Sequence, residues 1–64
     1  MNFLFLHFIA EFLASQSREE EAISYRLHAA ELSPSDYSLT VSVATALRLL
    51  NRKTEAESWY RKVN

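Results

Sequence analysis

Glu21-Ala22-Ile23-Ser24-Tyr25 and Glu55-Ala56-Glu57-Ser58-Trp59 stand 34 residues apart. Glu21/Glu55, Ala22/Ala56 and Ser24/Ser58 are identities, and Tyr25/Trp59 is an aromatic pair. The same shift lays Ile9-Ala10 on Val43-Ala44, Leu13 on Leu47 and Ser17 on Asn51. A 64-residue chain with a 34-residue internal period is one structural unit used about twice. A period of that length is the mark of a stacked supersecondary unit, which buries its apolar face only against a neighbour.

Around these segments the apolar residues recur at helical spacing. Phe3, Leu6, Ile9, Ala10 and Leu13 form one stripe, and Ala22, Tyr25, Ala29 and Leu32 a second. Leu39, Val43, Ala46, Leu47 and Leu50 form a third; Ala56, Trp59, Tyr60 and Val63 form a fourth. Between the stripes lie helix signals. Ser33-Pro34-Ser35-Asp36 reads as an N-cap serine with proline at the first helical position. Ser17 with Glu20, and Thr54 with Glu57, have capping-box spacing. Glu19, Glu20 and Glu21 suit the positive end of a helix dipole, and Asn51 tolerates the left-handed conformation that closes a helix. The expectation is an all-α chain of four antiparallel helices near 3–16, 19–32, 34–50 and 54–63.

Composition agrees with helices and narrows the chemistry. The chain is 48% hydrophobic and 23% charged, with one proline, no glycine and no cysteine. A chain this short buries only about 60% of its unfolded surface, so its stability margin is thin. Without cysteine there is no disulfide and no thiolate for catalysis or zinc; without glycine there is no phosphate-cradling loop. Net charge is −1, which gives no electrostatic case for nucleic acid. Residues 1–32 carry two Arg and five Glu, residues 33–64 five basic and three acidic groups, so the halves have opposite sign.

The pattern resembles the tetratricopeptide (TPR) family over nearly the whole chain. One repeat covers 3–36 and a second, cut short, covers 37–64, within a single domain of residues 1–64. Ala22, Ala29 and Pro34 match the family's two small helix-B residues and its terminal proline. Leu6, Ile9, Ala10 and Leu13 occupy the helix-A places, as do Val43, Ala44 and Leu47 in the second repeat; Ala56, Tyr60 and Val63 fill helix B. Arg26 in place of a helix-B aromatic and Thr40 in place of a bulky helix-A residue are departures. The resemblance implies an α-solenoid fragment in which two helix–turn–helix units stack, and a non-enzymatic scaffold that binds a protein or peptide on its helix-A face. That face comprises Leu4, His7, Glu11 and Ser15 in the first repeat, and Ser38, Val41, Thr45, Arg48 and Leu49 in the second. Family members that grip a carboxylate terminus use Lys, Asn and Arg there. Glu11 and Ser42 stand near those places, which argues against that activity.

Three further readings come from the residues themselves. Phe5, Phe8 and Phe12 make a second apolar stripe on the first helix, which wants a second neighbour, either inside one intramolecular core or on another chain or a preceding repeat. Together with Trp59, Tyr60 and Val63 they are candidates for self-association, either as a homo-oligomer, as a small structural bundle, or with flanking repeats of a longer array. The opening Met1–Leu13 stretch has the look of a signal or anchor, but it lacks a basic n-region, His7 and Glu11 interrupt it, and it is short of a membrane span. A cytoplasmic setting is favoured. His7 and His28 have no metal-spaced partners, and no serine sits in a nucleophile-elbow context. The expectation is therefore no catalytic residue, no metal and no cofactor.

Overall fold

Each helix ends where its neighbour must begin, because three short connections fix every turn of the chain. A computed structural model describes residues 2–63; Met1 and Asn64, the outermost residues of the expected domain, lie outside the described residues. Its elements are α1 (Phe3–Ser15), α2 (Glu19–Leu32), α3 (Tyr37–Leu49) and α4 (Lys53–Arg61), with no strand among the described residues. The fold is all-α. Each helix packs on the helix before or after it in sequence, and α1 and α4 do not meet among the described residues. The result is an open slab of 28 × 25 × 13 Å.

The 34-residue shift reappears in the backbone. Ser17 and Asn51 both take left-handed conformations, with φ of 60° and 63°. After α1, Arg18 N donates to Leu13 O and Ser17 N to Ala14 O; after α3, Arg52 N donates to Leu47 O and Asn51 N to Arg48 O. These are matching Schellman closures, in which two orphan carbonyls of the last turn are satisfied. Arg18 and Arg52 then open the next helices, and each forms a paired contact with the carboxylate three residues on. Arg18 reaches Glu21 at 2.6 and 2.7 Å, and Arg52 reaches Glu55 at 2.9 and 2.8 Å.

Two start signals read differently in three dimensions. No capping box forms at Ser17 or Thr54. Ser17 is spent on closing α1, and Thr54 lies inside α4, so the N-caps are Arg18 and Arg52, without a side-chain cap bond. The third helix starts at Tyr37 rather than at residue 34. Ser33-Pro34-Ser35-Asp36 is a turn closed by Asp36 N donating to Ser33 O at 3.0 Å, where proline's fixed φ suits the second turn position. Asp36 is the cap. Its Oδ1 accepts from Ser38 N at 3.0 Å, Leu39 N at 3.4 Å and Ser38 Oγ at 2.7 Å. The Ser38 hydroxyl, helped by the two backbone donors and nearby His7, holds the Asp36 carboxyl below its ordinary pKa against the opposing cost of burial.

Packing also follows the period. Leu6 and Thr40, Ala10 and Ala44, Leu13 and Leu47, and Ala22 and Ala56 are all buried pairs at the same shift. A main core draws Leu6, Ile23, Ala29, Leu39, Val43, Leu47 and Ala56 from all four helices, and a smaller cluster joins Ala10, Leu13 and Ala22 at the α1–α2 contact. Alanine at 22 and 56 lets two backbones approach, as close helix packing requires. Among the described residues the period breaks most clearly where one pair meets the other. Leu39 and Ala46 on α3 are buried while their counterparts Phe5 and Phe12 are exposed; Ile23 and Arg26 on α2 are buried while Glu57 and Tyr60 are exposed.

Two outcomes follow. Ala22→Leu and Ala56→Leu overpack equivalent contacts, and each costs roughly 1–3 kcal/mol in chemical denaturation; neutrality of both would show that the close approach is absent. The Asp36, Glu21 and Glu55 carboxyls are all held below their ordinary values, the latter two by their arginine partners. Their stabilisation is complete above the unfolded carboxyl pKa values near 4 and is lost as pH falls through the lower folded ones. Asp36→Asn, which still caps, should flatten the acid limb of a melting-temperature profile; an unchanged limb would remove Asp36 from the account.

Candidate functional site

Arg26 sits on the buried stripe of α2 beside Ala22, Ile23, Ala29 and Ala30, where an aliphatic side chain would be ordinary. Its side chain is 9% exposed, so its charge needs partners. Three helices supply them. Nε donates to Glu19 Oε2 at 3.0 Å and Nη2 to Glu19 Oε1 at 3.3 Å, both on α2. Nη2 lies 3.1 Å from Glu11 Oε2 on α1, and Nη1 donates to Ser42 Oγ on α3 at 3.1 Å. Burial by itself would lower the guanidinium pKa; Glu19 and then Glu11 outweigh it, and the group stays charged. No described buried side-chain polar atom is left unpaired.

This cluster floors an open groove of ≈ 290 Å³. Glu11 comes from α1, and Glu19 and Arg26 from α2. Ser38, Val41, Ser42, Thr45, Ala46 and Leu49 run along one face of α3. The spacing 38, 41, 42, 45, 49 is the spacing of a helix face. Two carboxylates stand against one guanidinium, so the ionic floor has one net negative charge. Hydroxyls and aliphatic surface make up the rest, with Leu49 70% exposed at the rim.

Five of the nine residues expected on the helix-A face meet here: Glu11, Ser38, Val41, Thr45 and Leu49. The other four do not line the groove. Leu4 is exposed on α1, and His7 is half-buried with its ring tilted 54° to that of Phe8 at 6.1 Å. The hydroxyl of Ser15 turns back to donate to Phe12 O at 2.6 Å. Arg48 lies just beyond Thr45, and both face the Tyr60 hydroxyl; Thr45 first, and Arg48 after it, hold that phenol below its ordinary pKa. Tyr60 is the 34-residue counterpart of Arg26, and Thr45 that of Glu11. The contact is repeated with different chemistry.

Sequence reasoning placed Glu11 and Ser42 near this face but treated Arg26 as a departure and Glu19 as a helix-start residue, and so missed the buried cation that joins them in the floor of the groove. The available signal was a lone arginine in register with four buried positions of its helix. The self-association candidates separate in space. Phe5, Phe8 and Phe12 are 54%, 66% and 61% exposed. Trp59 instead packs against the main core beneath Lys62, whose Nζ lies 3.6 Å from the ring centroid, and Val63 is half-buried in the turn after α4. Among the described residues no three His, Asp or Glu side chains gather to hold a metal ion, and no helix is long and apolar enough to cross a membrane. No protein-family model, curated protein or solved structure matches the chain.

The cluster predicts an unequal pair of substitutions. Arg26→Leu fills the space without a charge, and Glu11 and Glu19, 54% and 24% exposed, can turn to water. It should lie within about 1 kcal/mol of the parent, since well-packed apolar replacements of buried ion pairs are often neutral. Arg26→Ala leaves a void and should cost about 2 kcal/mol or more. Equal losses for the two in denaturant titrations would mean that the ionic contacts, rather than the volume, dominate.

Proposed function

We propose that the chain is a non-enzymatic, two-repeat TPR-like interaction module that binds a peptide or partner helix in the α3-lined groove. The observation that carries this reading is the convergence of Glu11, Ser38, Val41, Thr45 and Leu49 on one open groove, floored by the Arg26 cluster. Support for the repeat comes from the shared register of buried residues, Schellman closures and arginine caps. A groove of aliphatic surface with a few placed polar groups suits recognition of a segment rather than bond-making chemistry.

The ligand that fits is an extended or helical segment with apolar side chains over Val41 and Leu49. These lie eight residues apart on α3, about 12 Å along the axis at the helical rise. The net negative floor favours a basic group near Glu11, and Arg48 favours an acidic group or carbonyl at the far end. A carboxylate-terminus clamp is not proposed, because Glu11 and Ser42 occupy the places where cations would be needed.

Peptides selected on the chain by display give the test. Val41→Asp and Leu49→Asp change accessible side chains and should weaken binding at least tenfold in fluorescence anisotropy; Arg48→Glu should weaken it severalfold, all with unchanged helicity by circular dichroism. Binding indifferent to these three, and lost on Phe8→Glu or Trp59→Ala, would place the recognition surface elsewhere.

A further inference from the structure

We propose that two copies of the chain form a closed two-fold dimer, α1 packed antiparallel on its partner's α1 through Phe5, Phe8 and Phe12. This goes beyond the groove reading and does not depend on it. The three rings are 54%, 66% and 61% exposed and succeed one another at spacings of three and four residues. That is the alternation of a coiled-coil seam, and no charged residue falls within it.

The second half of the chain shows what such a face is for. The counterparts of Phe5, Phe8 and Phe12 on α3 are Leu39, Ser42 and Ala46, and α2 covers them: Leu39 and Ala46 share the main core with Ile23, and Ser42 accepts from Arg26. On α1 this register position lies open. An end-to-end stack would cover it with another copy's α4, at the face equivalent to the covering face of α2. That face carries Lys53, Glu57, Tyr60 and Arg61, with Glu57 and Arg61 ion-paired at 3.0 Å. Laying it on three phenylalanine rings would desolvate Lys53 and the Glu57–Arg61 pair with no new polar partner in return. The matching apolar face is α1 itself, so the contact is isologous and closes after two copies.

Area sets the strength. A phenylalanine presents about 150–250 Å², so the exposed parts of three rings, with the exposed Leu4 beside them, leave roughly 400–500 Å² per copy. A total near 900 Å² falls below the standard size of stable interfaces, about 1,200–2,000 Å², and belongs to reversible association.

The 64-residue chain contains no cysteine, so single-cysteine variants report the geometry cleanly. Sedimentation equilibrium from about 5 to 500 µM should fit a reversible monomer–dimer, and Phe8→Glu should leave a helical monomer. Under mild oxidation Phe8→Cys, central in the antiparallel seam, should cross-link to a covalent dimer that keeps its helicity, whereas Glu57→Cys should not. A monomer throughout the concentration range, species growing past the dimer, or cross-linking at Glu57→Cys but not at Phe8→Cys would overturn the proposal. So would wild-type chain that stays monomeric and instead floats with phosphatidylcholine vesicles in a Phe8-dependent manner.

Discussion

A guanidinium with almost no access to water sits at the junction of the two helical pairs, which Arg52 also bridges by reaching Glu20 at 3.4 Å. Arg26 must satisfy its donors inside the protein, and it does so on α1, α2 and α3 at once. The α1–α2 pair is already held by the close approach of Ala10, Leu13 and Ala22, and the α3–α4 pair by the contacts of Leu47 and Ala56 within the main core. What remains to be set is the angle and register between the pairs. Ile23, Leu39 and Ala46 supply the apolar part of that junction, which is non-directional. Arg26 adds direction, because its planar fork accepts few arrangements of two carboxylates and a hydroxyl.

The groove is a consequence of that junction. Pulling Glu11, Glu19 and Ser42 to one point brings the α3 face of Ser38, Val41, Thr45 and Leu49 alongside α1 without closing over it. The two ends of the slab differ in kind. At the α1 end a stripe of phenylalanine lies open; at the α4 end Lys53, Glu57 and Arg61 face water as an ordinary polar helix surface does. A chain built this way has one end suited to apolar contact and one that resists it, with the groove between them on a separate face. The proposed recognition role and the proposed dimer therefore use different surfaces and can coexist.

Much of this was legible in the sequence, for physical reasons that differ by element. Helix number and the α2 boundaries follow from apolar periodicity and from acidic residues at the helix start. The left-handed closure at Asn51 follows from a side chain that tolerates it; the matching closure at Ser17 was hidden, because serine there also imitates an N-cap. Pro34 misled in the same way, since a fixed φ suits both a first helical residue and a turn, and only the stronger cap at Asp36 decides between them. The helix-A face was half legible: five residues meet on the groove because α3 presents them at helical spacing. Arg26 was not legible as a floor, because long-range pairing across 15 and 16 residues leaves no local pattern. The fate of the two α1 stripes was likewise a matter of tertiary placement, with Leu6, Ala10 and Leu13 inward and Phe5, Phe8 and Phe12 outward.

The α1–α2 and α3–α4 pairs are joined through α2 and α3, in a 34-residue register, with α1 and α4 apart among the described residues. Methyl-labelled nuclear Overhauser spectroscopy on the dilute chain tests this arrangement most directly. Cross-peaks are expected from Ala22 to Ala10 or Leu13, with matching ones from Ala56 to Leu47 and α2–α3 cross-peaks among Ile23, Leu39 and Ala46, and none between α1 and α4. Cross-peaks linking the methyls of Leu4 or Ile9 to Ala56 or Val63, as a closed four-helix bundle would give, would contradict it.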